Sequence, residues 1–170
     1  MIVDCHTHIS YGEQDVDTTE HLAACQTVDA AIVLADARQP YDKTNKTLSE
    51  YVKQHQEKMV GFAVIEPTRA GLTTKELTVF KEKLGLAGAV LYCCRCGFHP
   101  VHSRAMQFYQ AAEQLSMPVF FHNGSETNPR SVLDYAQPYL LDEVARTFPD
   151  LKIIIGGMGQ PFLQQTLMMI

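Results

Sequence analysis

The sequence predicts an α/β fold: a parallel sheet built from about six (β/α) units within a single domain spanning residues 1–170. Three observations carry that expectation. Short apolar runs recur roughly thirty residues apart, the spacing of β-α-β units. Most of these runs are near-continuously apolar rather than alternating, as strands buried on both faces require. The stretches between them carry helix start and stop signals.

The elements follow in chain order. Met1 to Cys5 (MIVDC) reads as the first strand and Asp29 to Ala35 (DAAIVLA) as the second. Asp42 to Met59 is polar but places Leu48, Tyr51, Val52 and His55 at helical spacing. Val60 to Ile65 (VGFAVI) is the third strand. Thr73-Thr74-Lys75-Glu76 has capping-box form, Leu77, Phe80 and Leu84 follow on one helical face, and Gly85 stands where a C-cap belongs. Leu86 to Tyr92 (LAGAVLY) is the fourth strand. Ser103 is positioned to cap a helix through Leu115, apolar at Met106, Tyr109 and Ala112 and ended by Pro118. Pro118 to His122 (PVFFH) is the fifth strand. Leu141, Val144, Ala145 and Phe148 form a last apolar stripe before Pro149-Asp150, and Leu151 to Ile155 (LKIII) is the sixth strand.

No local repeat, linker or low-complexity stretch divides the chain. A complete eightfold (β/α) barrel takes about 250 residues, and this chain has 170. The residues alone therefore leave two arrangements open, a doubly wound open sheet and a barrel that stops before closing. Dinucleotide binding lacks support, because no G-x-G-x-x-G follows the first strand.

Composition narrows the partners. The net charge of -5 and the scattered Lys and Arg argue against nucleic acid and anionic lipid. No apolar run approaches the ~18 residues of a membrane span. Asp4 interrupts the first apolar run, so no export signal is read and a cytoplasmic location is expected. The five cysteines are then expected as reduced thiols, an odd number that fits a disulfide framework poorly.

The chemistry-bearing residues sit at strand ends. His6 and His8, one residue apart, share a face with Ile2 and Asp4 at the C-terminal end of the first strand. Parallel α/β folds build their sites at that end. His122 closes the fifth strand in the equivalent position, and two plus one imidazoles is a common catalytic metal arrangement. The competing reading is a set of strand-end histidines held by hydrogen bonds. Cys93-x-x-Cys96 with His99 and His102 offers four soft ligands in one ten-residue loop. Structural zinc pairs are usually split by a longer loop, so an ordinary active-face loop is the stronger reading there, with zinc or redox chemistry behind it. Arg95 in that loop is a candidate for meeting an anionic substrate, against the plainer reading of a solvated arginine. Glu66 and Glu126 are candidate active-face carboxylates, each more simply a loop residue. Gly124-Ser125 lacks the frame of a nucleophile elbow.

Ile2 to His8 (IVDCHTH) resembles the strand-one signature of the amidohydrolase superfamily. More narrowly it resembles the branch that includes aminocarboxymuconate-semialdehyde decarboxylase. The similarity continues through Gly61 to Pro67 (GFAVIEP), Gly88-Ala89-Val90, Leu115 to His122 (LSMPVFFH) and Phe148 to Gly156 (FPDLKIIIG), covering essentially the whole chain. The resemblance implies a TIM-barrel-like fold, here about six of eight (β/α) units, so an incomplete parallel barrel. It also implies a mononuclear divalent metal, usually zinc, on His6, His8 and His122, and a small-molecule substrate.

Two departures shape the functional expectation. Relatives read I-G-H-x-G after strand six, whereas this chain reads Ile155-Gly156-Gly157-Met158-Gly159, so Gly157 replaces a histidine used near the metal. The strand-eight aspartate of the family has no counterpart before Ile170. The implied function is a metal-dependent hydrolase acting through activated water on a small carboxylated compound or a cyclic amide or lactone. The alternative is a catalytically impaired, truncated or degenerate member with a binding or assembly role; no catalytic acid/base is assigned. Open edges on the first and last strands further imply a homo-oligomer that completes the sheet.

Overall fold

The computed structural model describes residues 1–11, 16–38, 40–69, 72–123 and 131–169. In chain order it runs β1 (Val3–Thr7), β2 (Ser10–Tyr11), β3 (Val16–Asp17), α1 (Thr19–Cys25), β4 (Ala30–Leu34), α2 (Tyr41–Gln54), β5 (Met59–Val64) and α3 (Thr74–Glu82). Then follow β6 (Gly88–Leu91), the short α4 (Cys93–Cys96), α5 (Ser103–Gln114), β7 (Val119–Phe121), α6 (Leu141–Thr147), β8 (Ile153–Ile155) and α7 (Leu163–Leu167). All six expected strands are present. The antiparallel pair β2–β3, α1 and α7 were not anticipated, being too short to show a period.

One sheet carries the order β1-β4-β5-β6-β7-β8, and every neighbouring pair in it is parallel. Sequential order with helical crossovers is the (β/α) barrel arrangement, not the reversed order of a doubly wound sheet. Its curvature follows from side-chain distances. Strands lie about 4.8 Å apart, so a flat sheet would separate β1 from β7 by about 19 Å over four ladder steps. The ring centroids of His6 on β1 and His122, just past β7, are instead 4.7 Å apart. The sheet is therefore curled into an open half-barrel whose edges are β1 and β8.

Burial follows position in that sheet. All four residues of β6 and all three of β7 are buried, as central strands covered on both faces must be. The edge strands are wetter, with Val3 40% exposed and Ile153 to Ile155 only partly buried. The helices form much as their signals indicate. Thr73 and Glu76 make the reciprocal capping box that starts α3. Two details differ from expectation. The cap of α5 is His102, whose Nδ1 accepts the Arg104 N–H, and Ser103 is already inside the helix. On α6, Leu141 and Val144 face the core while Ala145 is exposed. No helix among the described residues is long and apolar enough to cross a membrane.

Asn45 ties α2 to the end of β5. Its side-chain amide donates to the Val64 carbonyl at 3.0 Å and accepts the Val64 N–H at 2.8 Å, and the residue is 1% exposed. Asn45→Ala strands two buried backbone groups, each costing about 1–3 kcal/mol. A loss of about 2–4 kcal/mol in chemical denaturation is the expected result.

Candidate metal centre

His6, His8 and His122 converge at the C-terminal mouth of the half-barrel. Each offers one ring nitrogen such that the three atoms lie within 4.8 Å of one another. Among the described residues this is the one group of three or more metal-ligating side chains so gathered.

The local backbone explains the aim of each ring. The β1–β4 register shifts between Asp4 and Thr7, an irregularity of the kind that re-aims side chains beside sites. Within it, Asp4 Oδ1 accepts the His6 N–H at 2.9 Å. His8 Nδ1 lies 3.0 Å from the Leu34 carbonyl, which only accepts, so the proton sits on Nδ1 and Nε2 is left as the ligating nitrogen. The His122 N–H donates to Leu91 at 2.9 Å and continues the parallel ladder one residue past β7.

Beneath the trio, the Phe120 ring meets the His6 ring edge-on at 5.0 Å. Gly156 makes room for it, since a Cβ there would stand 2.6 Å from Phe120 Cε1. Burial pushes the His122 pKa from the ordinary 6.5 down to about 3, helped by its imidazole neighbours His6 and His8. His8 is lowered by burial and then by His6. His6 is lowered by burial, with Asp4 opposing. All three rings are neutral near pH 7, the form that ligates metal.

The trio opens onto a cavity of about 560 Å³ that Asp36, Arg38, Tyr92 and Arg95 also line. Arg95 lines this cavity and is engaged rather than solvated. Its guanidinium donates to Asp36 Oδ1 at 2.8 Å, and Arg38 lies 3.7 Å from the other Asp36 oxygen. Asp36, Arg38 and Tyr92 were missed by the sequence reading. Asp36 stands two residues beyond a strand end, a signal the strand-end rule could have used. Tyr92 read only as the last apolar residue of a strand.

The remaining candidates lie apart from the trio. Cys93, Cys94 and Cys96 form no disulfide, and the first two are buried. His99 and His102 spend their Nδ1 atoms on the backbone N–H groups of Val101 and Arg104. The four-ligand loop therefore does not gather around a common point. Burial raises the Cys93 thiol well above its ordinary value, away from redox reactivity. Glu66 is held by Tyr41 at 2.8 Å and Arg69 at 2.7 Å, as a structural anchor beside a separate small cavity. Glu126 and Ser125 lie outside the described residues. Gly157 adopts φ +55°, and a Cβ there would meet nothing within 4 Å.

A curled, sequentially ordered parallel sheet with imidazoles at its C-terminal mouth defines the class as a TIM-type (β/α) half-barrel with a candidate metal centre. The sequence profile of the amidohydrolase family matches residues 3–170. The chain belongs to that family. No curated protein sequence matches it significantly.

Solved structures with this fold include a probable 2-pyrone-4,6-dicarboxylic acid hydrolase from Acinetobacter baumannii with citric acid bound. It is 16% identical, with TM-score 0.65 over 99% of this chain and 66% of that one. Another is the 5-carboxyvanillate decarboxylase of Sphingomonas paucimobilis, 14% identical, with TM-score 0.68 over 93% and 68%. A third is a dihydroxybenzoic acid decarboxylase from Polaromonas sp. JS666 with bound manganese and the inhibitor 2-nitroresorcinol. It is 16% identical, with TM-score 0.65 over 93% and 65%. The chain thus spans about two thirds of the length of these structures.

The lowered imidazole pKa values make stability pH-dependent with a definite sign. The unfolded chain takes up protons as pH falls through 6.5, while folded His122 resists until about 3. Stability is therefore full above pH 6.5 and declines below it, by up to about 1.4 kcal/mol per pH unit for one such group. Denaturation midpoints of metal-stripped protein are expected to fall between pH 7 and 5. His122→Asn should flatten that decline, and an equal slope in the variant would contradict the assignment.

Proposed function

We propose that this chain is a metal-dependent hydrolase domain in which His6, His8 and His122 hold one divalent ion. The observation that carries the reading is the approach of three neutral imidazole nitrogens to within 4.8 Å of one another at the barrel mouth. The donor set fits such an ion: all-nitrogen, uncharged, and with His8 already committed to one tautomer by Leu34. Imidazole donors suit zinc, and the manganese-bound structural neighbour makes manganese the other ion to test.

An ion held there supplies Lewis-acid activation of water or of a substrate oxygen. The chain's own residues do the positioning. The Asp36-bridged Arg38 and Arg95 give one cavity wall a net positive charge suited to orienting a carboxylate. That wall fits a small carboxylated substrate, and the family resemblance adds cyclic amides and lactones to the class. The hydrolase and decarboxylase among the structural neighbours keep both reaction types in view for a substrate panel.

Gly157 supports a second reading, a member with weakened or no catalysis. It offers no group to move a proton where the resemblance places a histidine, and a general acid/base is worth about 10²–10⁴-fold in rate. Measured turnover on a panel of lactones, cyclic amides and aromatic carboxylates decides between the two.

The open edges at β1 and β8 also favour assembly. Met1, Ile2 and Val3 at and beside β1, and Met158, Leu167 and Met168 in the segment after β8, are exposed apolar side chains. A second copy of this chain covering these edges is the proposed partner.

Two measurements test these readings. Elemental analysis is expected to find about one zinc- or manganese-like ion per chain, lost in a His6→Ala/His8→Ala double variant. Unchanged metal content in the double variant would overturn the ligand set. Light scattering is expected to give a mass above one chain, and a stable monodisperse monomer would overturn the assembly reading.

A further inference from the structure

The candidate ligand rings are not all oriented by the same means. The His8 ring is fixed by the Leu34 carbonyl. Among the described residues, the His122 ring has no such hydrogen bond and is surrounded by other rings instead. His6 meets it edge-on at 4.7 Å, His8 lies tilted at 5.4 Å, and Phe120 lies tilted at 6.4 Å. Tyr92 alone stacks on it face to face, with centroids 4.5 Å apart and 28° between planes.

Tyr92 is itself rigidly held. It is 2% exposed, and its hydroxyl donates to the Ala35 carbonyl at 2.8 Å. Ala35 is in turn fixed by its own N–H, which donates to Phe62 at 3.0 Å. A continuous line therefore runs from the end of β4, through the Tyr92 hydroxyl and ring at the end of β6, to the His122 ring at the end of β7. The backbone ladder to Leu91 sets where His122 starts but not how its ring turns.

We infer that Tyr92 is a positioning residue that holds the His122 ring in its ligating orientation. The inference rests on the reading of His6, His8 and His122 as the ligand set. Tyr92 does not touch the ion; it acts by restricting rotation of His122 about its side-chain torsions, as outer partners of ligating histidines do. Such partners typically change metal affinity about 10–100-fold.

The test titrates Zn²⁺, in competition with a chromogenic chelator, into metal-stripped wild type, Tyr92→Phe and Tyr92→Leu. Tyr92→Leu removes both stack and tether and is expected to weaken the Kd about 10–100-fold. Tyr92→Phe keeps the stack, loses the tether, and is expected to recover most of that loss, staying about threefold weaker than wild type. A cobalt-loaded absorption spectrum adds a readout that general destabilisation would not move: band positions should shift in Tyr92→Leu and return in Tyr92→Phe.

Zn²⁺ binding by Tyr92→Leu equal to wild type, with an unchanged cobalt spectrum, overturns the positioning role while leaving the ligand set standing. Wild type that binds no ion overturns the ligand set and the inference with it. Should Tyr92→Leu not fold, Tyr92→Phe carries the test through the His122 ring resonances of the metal-free protein. These are expected to broaden or shift when the tether is lost, and identical resonances overturn the role.

Discussion

Packing of aromatic and imidazole rings between β1 and β7 is the contact on which the candidate site depends. These strands are four ladder steps apart, and only a curled sheet brings the His6 ring within 5.0 Å of Phe120 and 4.7 Å of His122. The curl in turn needs space for Phe120 to lean across the interior. Gly156 supplies it, because any Cβ there would collide with the Phe120 ring. A glycine just past the last strand thus leaves room for the packing that brings the first strand's histidines to their partner.

Desolvation then gives the gathered rings their chemical character. Burial is the larger cause of the lowered pKa of each imidazole in this partly buried mouth, reinforced by His6 at His8 and by His6 and His8 at His122. The charged groups of the cavity sit to one side, with Asp36 engaged by Arg95 and Arg38. The mouth is thereby divided into a neutral nitrogen cluster suited to a cation and a cationic wall suited to an anion.

Much of the fold was legible because parallel strands buried on both faces leave continuous apolar runs, and all six were found within a residue or two of their ends. The capping box of α3 was legible for the same local reason. The errors were also local in origin. Ser103 was taken as a cap because serine commonly caps, whereas the histidine before it does so here. The two-residue strands Ser10–Tyr11 and Val16–Asp17 have no period to read. In the loop after β6, four candidate ligands close in sequence diverge in space, since His99 and His102 turn to cap nearby backbone.

The sequence by itself determined the six strands with helices between them, the family resemblance, and the three histidines at strand ends. These depend on hydrophobic period and on residues whose meaning is set by their position along a strand. Only the tertiary structure decided between an open sheet and a curled half-barrel, because curvature is a sum of small twists between strands that no single segment encodes. It alone also placed Tyr92 against His122 and Asp36 between two arginines. Tyr92 and His122 lie 30 residues apart and Asp36 and Arg95 lie 59 apart, and only the folded chain makes them neighbours.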